Sequence, residues 1–301
     1  MNISRKNKER YKSLLANTPI LGKPIINQLI KRKFPIEIAL HNGGDPASSS
    51  KRSWIHFSVN KAATQYVKKV IKALAEKEGL MHASMHDYAF HSGIPFFDHL
   101  IREEMKDYVH VFKPEGYFYG PFGGMIEGLS ELEKFKVVLV VRDPRDMAVS
   151  AYFSKGGSHG LPLAPTSRRQ NFIDERGRAQ NKSIEDYVID YAPEVVRELD
   201  RYREHLLTGE YDVHLCKYED MVSNFSQWLD GILTFYCEEV DSELRQKIID
   251  EHESIKPQKE DPSKHLRKGQ PGDYLEKLDK SCIGKLNEIF EENLNFFSYH
   301  K

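Results

Sequence analysis

Two stretches of the chain combine residue types suited to gripping a phosphorylated anion. The first runs Trp54-Ile55-His56-Phe57-Ser58-Val59, then Asn60-Lys61-Ala62-Ala63-Thr64-Gln65-Tyr66, where a helical pattern begins. A β-type run followed by small residues lets backbone N–H groups at a helix start come close to an anion, and the helix dipole favours negative charge there. Lys61 supplies a point charge. The same residues also fit a plain exposed lysine beside a helix start. The second stretch runs from Val137 to Tyr152. Its apolar half delivers Arg142 at a strand end, where ligands bind in open α/β sheets. Pro144 and Asp146 suit the first turn of a following helix. Ser150 lies eight residues after Arg142, so its hydroxyl can join the guanidinium on one phosphate. The alternative for Arg142 is an ion pair with Asp143 or Asp146.

The glycines of a nucleotide triphosphate loop, Gly-x-x-x-x-Gly-Lys-Ser/Thr, would have to fall near Ile55 and Asn60, and neither position carries one. No clear acidic residue ends the following strand as a magnesium ligand would. The expected site therefore holds its phosphate without a metal. His82, His86 and His91 invite a zinc reading, but the i,i+4 pair needs a helix, and this stretch follows Gly79 and reads as strand. No cysteine lies nearby, which speaks against zinc.

Asn60 to Tyr66 resembles the Pro-Lys-Ser-Gly-Thr-Thr-Trp phosphosulfate loop of the cytosolic sulfotransferases. Arg142 to Ser150 is similar to their Arg-Asn/Asp-Pro-Arg/Lys-Asp-x-x-Val-Ser segment. Lys217-Tyr218-Glu219-Asp220-Met221 matches their Tyr-Glu-Asp-Leu/Met element. His265 to Tyr274 resembles their C-terminal Arg-Lys-Gly-x-x-Gly-Asp-Trp. The four occur in family order. The resemblance implies a sulfotransferase fold and the co-substrate 3′-phosphoadenosine-5′-phosphosulfate, used without a metal.

Residue by residue, it implies that Lys61 and the backbone of Ala62, Ala63, Thr64 and Gln65 bind the 5′-phosphosulfate. Tyr66, in place of tryptophan, would stack on adenine, and Tyr218 would contact the same base. Arg142, Ser150, Arg267, Lys268 and the Gly269 backbone would hold the 3′-phosphate. An arginine fork suits a phosphate and a mobile lysine suits the transferring group. The departures are Asn60 for Pro, Ala62-Ala63 for Ser-Gly and Gln65 for Thr.

Transfer to a hydroxyl also needs a general base within hydrogen-bond reach. Cytosolic members use a histidine in a Lys-Thr-His-x-Pro strand, a motif missing here. Tyr108 to Pro114 occupies that region and offers His110. Carbohydrate sulfotransferases place a glutamate on the strand after the first helix, where this chain has Ser84 to His91 and offers His86 or Asp87. All three stay open.

The elements that must position these groups alternate. Strand patterns cover Ser53–Val59, Met81–Phe90, Tyr108–Phe112, Phe135–Val141 and Tyr211–Lys217, with a Gly- and aromatic-rich turn region through Gly124. Helical spacing covers Ala62–Glu78, Ser183–Leu207, Ser223–Tyr236, Ser242–Glu251 and Cys282–Asn293. This predicts an α/β fold with a mostly parallel central sheet flanked by helices. Residues 1–50 read as a peripheral extension and 51–301 as one domain. The Gly- and Pro-containing, locally basic segment 154–183 lacks a pattern and reads as a structureless lid or substrate loop.

With 301 residues and 44 basic against 45 acidic side chains, the net charge of −1 gives no bulk attraction to nucleic acid or membranes. Cys216, Cys237 and Cys282 fit reduced thiols, the basic start up to Leu15 lacks a signal-like apolar core, and no apolar run approaches membrane length. The expectation is a soluble cytoplasmic enzyme acting on a small-molecule or carbohydrate hydroxyl (or an amine). A P-loop-like nucleotide kinase and a catalytically silent nucleotide-binding protein are the alternatives.

Overall fold

Five short runs form strands: β1 (Trp54–Ser58), β2 (Met81–Ala83), β3 (Tyr117–Phe122), β4 (Lys136–Val141) and β5 (Val213–Lys217). In the structure, a computed structural model, residues 22–129, 131–155, 166–255 and 269–299 are described; the side chains of residues 22, 23, 166–169, 172, 175 and 178 are not. The strands make one sheet in the order β2-β3-β1-β4-β5, every pair parallel. All of β1 and β3 is buried, and β4 is buried beyond its first residue. That is the pattern of a parallel sheet covered on both faces. Because all strands run the same way, Ser58, Ala83, Phe122, Val141 and Lys217 open onto one edge, where loops can gather around a ligand.

Helices α1 (Gly22–Lys33) and α2 (Pro35–His41) precede the sheet, and α3 (Thr64–Lys77) links β1 to β2. Between β2 and β3 come α4 (Met85–Ser92) and α5 (Arg102–Met105); between β4 and β5 come α6 (Pro144–Phe153), α7 (Thr166–Gln180) and α8 (Ile184–Tyr202). After β5 follow α9 (Tyr218–Ser223), α10 (Phe225–Tyr236), α11 (Ser242–Ile255), α12 (Asp273–Lys277), α13 (Lys280–Ile289) and α14 (Glu291–Phe296). Val67, Val70, Ile71 and Leu74 form the buried stripe of α3, and Val188, Ala192, Val195, Leu199 and Tyr202 that of α8. Helix α8 starts at Ser183, whose side chain accepts from the Asp186 N–H, as its Ser-x-x-acid pattern predicts. Among the described residues, no helix is long and apolar enough to cross a membrane.

The expected α/β architecture is observed, with four local corrections. The run Met81–Phe90 is strand only to Ala83; Met85, Tyr88 and Ala89 are buried at helical spacing and form the inner face of α4. Tyr108–Phe112 is not a strand but surrounds a 3₁₀ turn, Val109–Val111. The missing strand is β3, inside the stretch expected to be a turn. Its Gly120 has φ +120°, and an added Cβ would meet the His56 carbonyl oxygen at 2.6 Å, so the glycine admits close strand contact where the β1–β3 register shifts. Segment 154–183 is not structureless throughout: α7 occupies Thr166–Gln180. In the N-terminal segment, Ile26, Ile30, Phe34 and Leu40 of residues 22–41 join the core, and buried Glu37 accepts from the Ser84 N–H at 2.7 Å.

Candidate active site

The chain leaves β1 and turns through residues 59–63 into α3. Lys61 (φ 72°) and Ala63 (φ 57°) both sit in the left-handed region, which costs a side-chain-bearing residue about 1–2 kcal/mol. Neighbours hold the loop in that shape. Ser58 Oγ and Thr64 Oγ1 share a 2.9 Å hydrogen bond across its base. Arg142 Nη1, arriving from the end of β4, donates to the Lys61 carbonyl at 2.8 Å. The main-chain N–H and the Nδ2 amide of Asn60 donate to the two carboxylate oxygens of Glu198 on α8, at 2.6 and 3.0 Å. Ala62 is fully buried at the turn and Gln65 is exposed beyond it.

Charge is concentrated here. Burial first, and then Lys155, pushes the Lys61 ammonium down to about 8, against the opposing pull of Glu198. Burial raises the Glu198 carboxyl to about 7, with Asp98 adding to the rise and Asn60 and Lys61 opposing it.

Arg142 is buried at the strand end. Its Nη2 lies 3.3 Å from Asp146 Oδ2 and its guanidinium stands 4.3 Å over the Tyr218 ring. The ion-pair alternative and the strand-end placement are thus both realised. Asp146 also accepts from the main-chain N–H groups of Gly272 (2.8 Å) and Tyr274 (3.0 Å), which draws the C-terminal segment against the same edge. Gly269, partly buried with φ 66°, leads into that segment. Arg267 and Lys268 lie outside the described residues. Ser150 is partly buried on α6. Tyr66 shares a 2.8 Å hydrogen bond with His252 Nδ1, and its ring packs on Phe225 and His252, so it belongs to an aromatic cluster flanking the loop.

The three base candidates are placed very differently. His86 stacks on Phe96 with centroids 4.6 Å apart, and its Nδ1 lies 3.7 Å from Asp98 Oδ1, a charge-pair separation longer than a hydrogen bond. A Cβ added at Gly123, just past β3, would lie 3.6 Å from Asn60 Oδ1, 3.8 Å from Asp98 Oδ2 and 3.9 Å from His86 Cε1. Those three side chains therefore converge over one glycine beside the 59–63 loop. Asp87 points elsewhere, to Lys68 Nζ at 3.0 Å and Ser84 Oγ at 2.8 Å, and ties α4 to α3. His110 is exposed and pairs with the His41 carbonyl at 3.1 Å. The strand expected over Met81–Phe90 would turn His86 and Asp87 to opposite faces; as successive positions on α4 they stand about 100° apart around the axis instead.

Asp98 and Glu198 were not among the sequence candidates. Burial raises the Asp98 carboxyl, yet His86 and His99 hold it below the usual carboxylate range. Glu198 carried one signal, its place among polar residues on α8 between buried Val195 and Leu199; Asp98 sits in a short 3₁₀ turn that no periodicity marks. Arg201 links both surroundings, donating to the Asp98 and Met125 carbonyls at 2.9 and 2.8 Å. Of the three histidines considered for zinc, His82 pairs with the Gly120 carbonyl (2.8 Å) and His91 packs on Phe34 and Phe90. Among the described residues no group of three or more His, Cys, Asp or Glu side chains could hold a metal ion.

Residues 126–298 match the family model described as the sulfotransferase domain; the match begins after the 59–63 loop. Among solved structures, the chain is similar to mouse sulfotransferase SULT7A1 complexed with PAP. Identity there is 16%, covering 86% of this chain and 89% of the other, with a TM-score of 0.56. It is also similar to sulfotransferase STF9 from Mycobacterium avium at 11% identity, covering 93% and 83%, with a TM-score of 0.51. At these identities the likeness is one of fold. No curated protein sequence matches the chain.

Proposed function

Because the chain belongs to the sulfotransferase domain family, we propose that it moves a sulfuryl group from 3′-phosphoadenosine-5′-phosphosulfate to a hydroxyl of a small-molecule or carbohydrate acceptor. The observation that carries this reading is the convergence of Asn60, His86 and Asp98 beside the Lys61 loop at the end of β1. That loop and Arg142 are the parts an anionic donor requires, and the mouse relative is named as a complex with PAP.

In this reading the Lys61 ammonium and the N–H groups at the start of α3 hold the phosphosulfate. His86 takes the proton of the acceptor hydroxyl, with the Asp98 carboxylate orienting the ring and offsetting its positive charge. The acceptor oxygen bonds to sulfur while the bond between sulfur and the 5′-phosphate oxygen breaks. That oxygen keeps the electron pair, and Lys61 stabilises its charge as the bisphosphate departs. Arg142, joined by Ser150, Arg267, Lys268 and the Gly269 backbone, reads the 3′-phosphate. Tyr66 and Tyr218 flank the adenine. The test is an acceptor-library assay with sulfur-labelled donor: label must appear as a sulfate ester of a hydroxyl-bearing acceptor, and its absence from every class alongside phosphoryl transfer from ATP would reverse the assignment.

A further inference from the structure

A carboxylate is an unexpected neighbour for a loop that receives an anion. Glu198 nevertheless accepts two hydrogen bonds from Asn60, one of them from the main-chain N–H that opens the loop. The proline of the motif that this loop resembles has no N–H to give, so the main-chain contact needs a residue such as Asn60 in its place. Glu198 also acts on Lys61 as an opposing charge.

We propose that Glu198 is the resident counter-anion of the donor loop, holding Asn60 and offsetting Lys61 until the donor takes over, so that donor binding draws a proton onto Glu198. This rests on the sulfotransferase reading. The groups facing Glu198 are Lys61 and Asn60 from the loop and Asp98, backed by His86, from the turn before α5. Tyr202 and Arg201 lie on α8 itself, while Lys155 and Arg142 act on Lys61. With Asp98 already negative beside it, a second incoming anion favours the neutral acid further. The carboxyl titrates near neutrality before any donor arrives. Binding at pH 7.5 must then take up a proton, and affinity must weaken as pH rises.

The experiment is titration calorimetry with adenosine 3′,5′-bisphosphate at pH 7.5 in buffers of different ionisation enthalpy. It compares the full-length protein with Glu198→Gln and Glu198→Asp. Glutamine keeps the shape without the charge, so proton uptake should fall sharply and affinity at pH 8 should rise by ~3–10-fold. Aspartate loses reach but keeps a titrating carboxyl, so uptake persists even where the hold on Asn60 is weakened. Lys61→Arg separates the uptake belonging to Lys61, which has the same sign. Equal uptake by wild type and Glu198→Gln, or weaker binding by Glu198→Gln at pH 8, overturns the role of Glu198 alone. No bisphosphate binding to the wild type overturns this proposal and the sulfotransferase reading together.

Discussion

Arg142 donates to the main-chain carbonyl of Lys61 at 2.8 Å, so the residue proposed to read one end of the donor also shapes the loop proposed to hold the other. Arg142→Ala removes both effects. Comparing ligands separates them: 5′-AMP feels only the loop, whereas the bisphosphate also feels a lost charged hydrogen bond of about 1.5–3 kcal/mol. The bisphosphate should therefore lose roughly ten- to a hundredfold more affinity than 5′-AMP in calorimetry. Equal losses would mean that Arg142 acts only through Lys61.

The base assignment makes a graded prediction. His86→Ala should lower turnover by about 10²–10⁴ with bisphosphate affinity unchanged. Asp98→Asn should lower it less, since it spares the proton acceptor and removes only its partner. Asp87→Ala should mainly lower the melting temperature, because Asp87 ties Lys68 to Ser84. His110→Ala, exposed on its turn, should change neither. Near-full turnover by His86→Ala sinks the assignment.

Much of this was legible in the sequence because the signals were local. The apolar run before Arg142 declared a buried strand, and the Ser183-to-Asp186 cap declared the start of α8. What failed had physical causes. In Tyr117–Phe122 glycine among aromatic residues suggested a turn, yet the Gly120 backbone packs against His56 in mid-sheet, a demand no single strand displays. The Met85, Tyr88, Ala89 spacing was helical but spans only five residues, and the short strand directly before it, Met81–Ala83, let one strand reading run through both. Glu198 and Asn60 are 138 positions apart. Only the folded chain, with Tyr202 of α8 packed on Phe57 of β1, brings them together.

Metal dependence offers a separate check. In the proposed reading the anion is held by Lys61, Arg142 and main-chain N–H groups, with no metal between them. Bisphosphate binding measured with EDTA should equal binding with magnesium. Loss in EDTA with recovery in magnesium would favour the kinase alternative.

Lys61 sets an upper pH limit. Its ammonium, pushed down to about 8 by burial and then Lys155, is charged below that pH and neutral above it. A bound anion favours the charged form, so bisphosphate affinity should decline as pH rises from 8 toward 10. An arginine there stays charged. In Lys61→Arg that decline should disappear, whatever happens to affinity at neutral pH; an unchanged slope would place the titration on another group.

The two loop alanines, although adjacent, should respond oppositely to glycine. Ala62 is fully buried and has no positive φ, so Ala62→Gly loses a buried methyl worth about 0.8 kcal/mol. It also frees the unfolded backbone, at a cost of about 0.4–1 kcal/mol. Ala63 has φ 57° and is only partly buried. Glycine at that position removes left-handed strain of about 1–2 kcal/mol, which offsets both losses. Ala62→Gly should thus lower the melting temperature by about 2–7 °C, using roughly 2–4 °C per kcal/mol, the scale of large single domains. Ala63→Gly should leave it within about 2 °C of wild type on the same scale. Thermal melts of both variants, with and without bisphosphate, decide the matter. An equal drop in the two would show that the loop does not hold Ala63 in the left-handed conformation in solution.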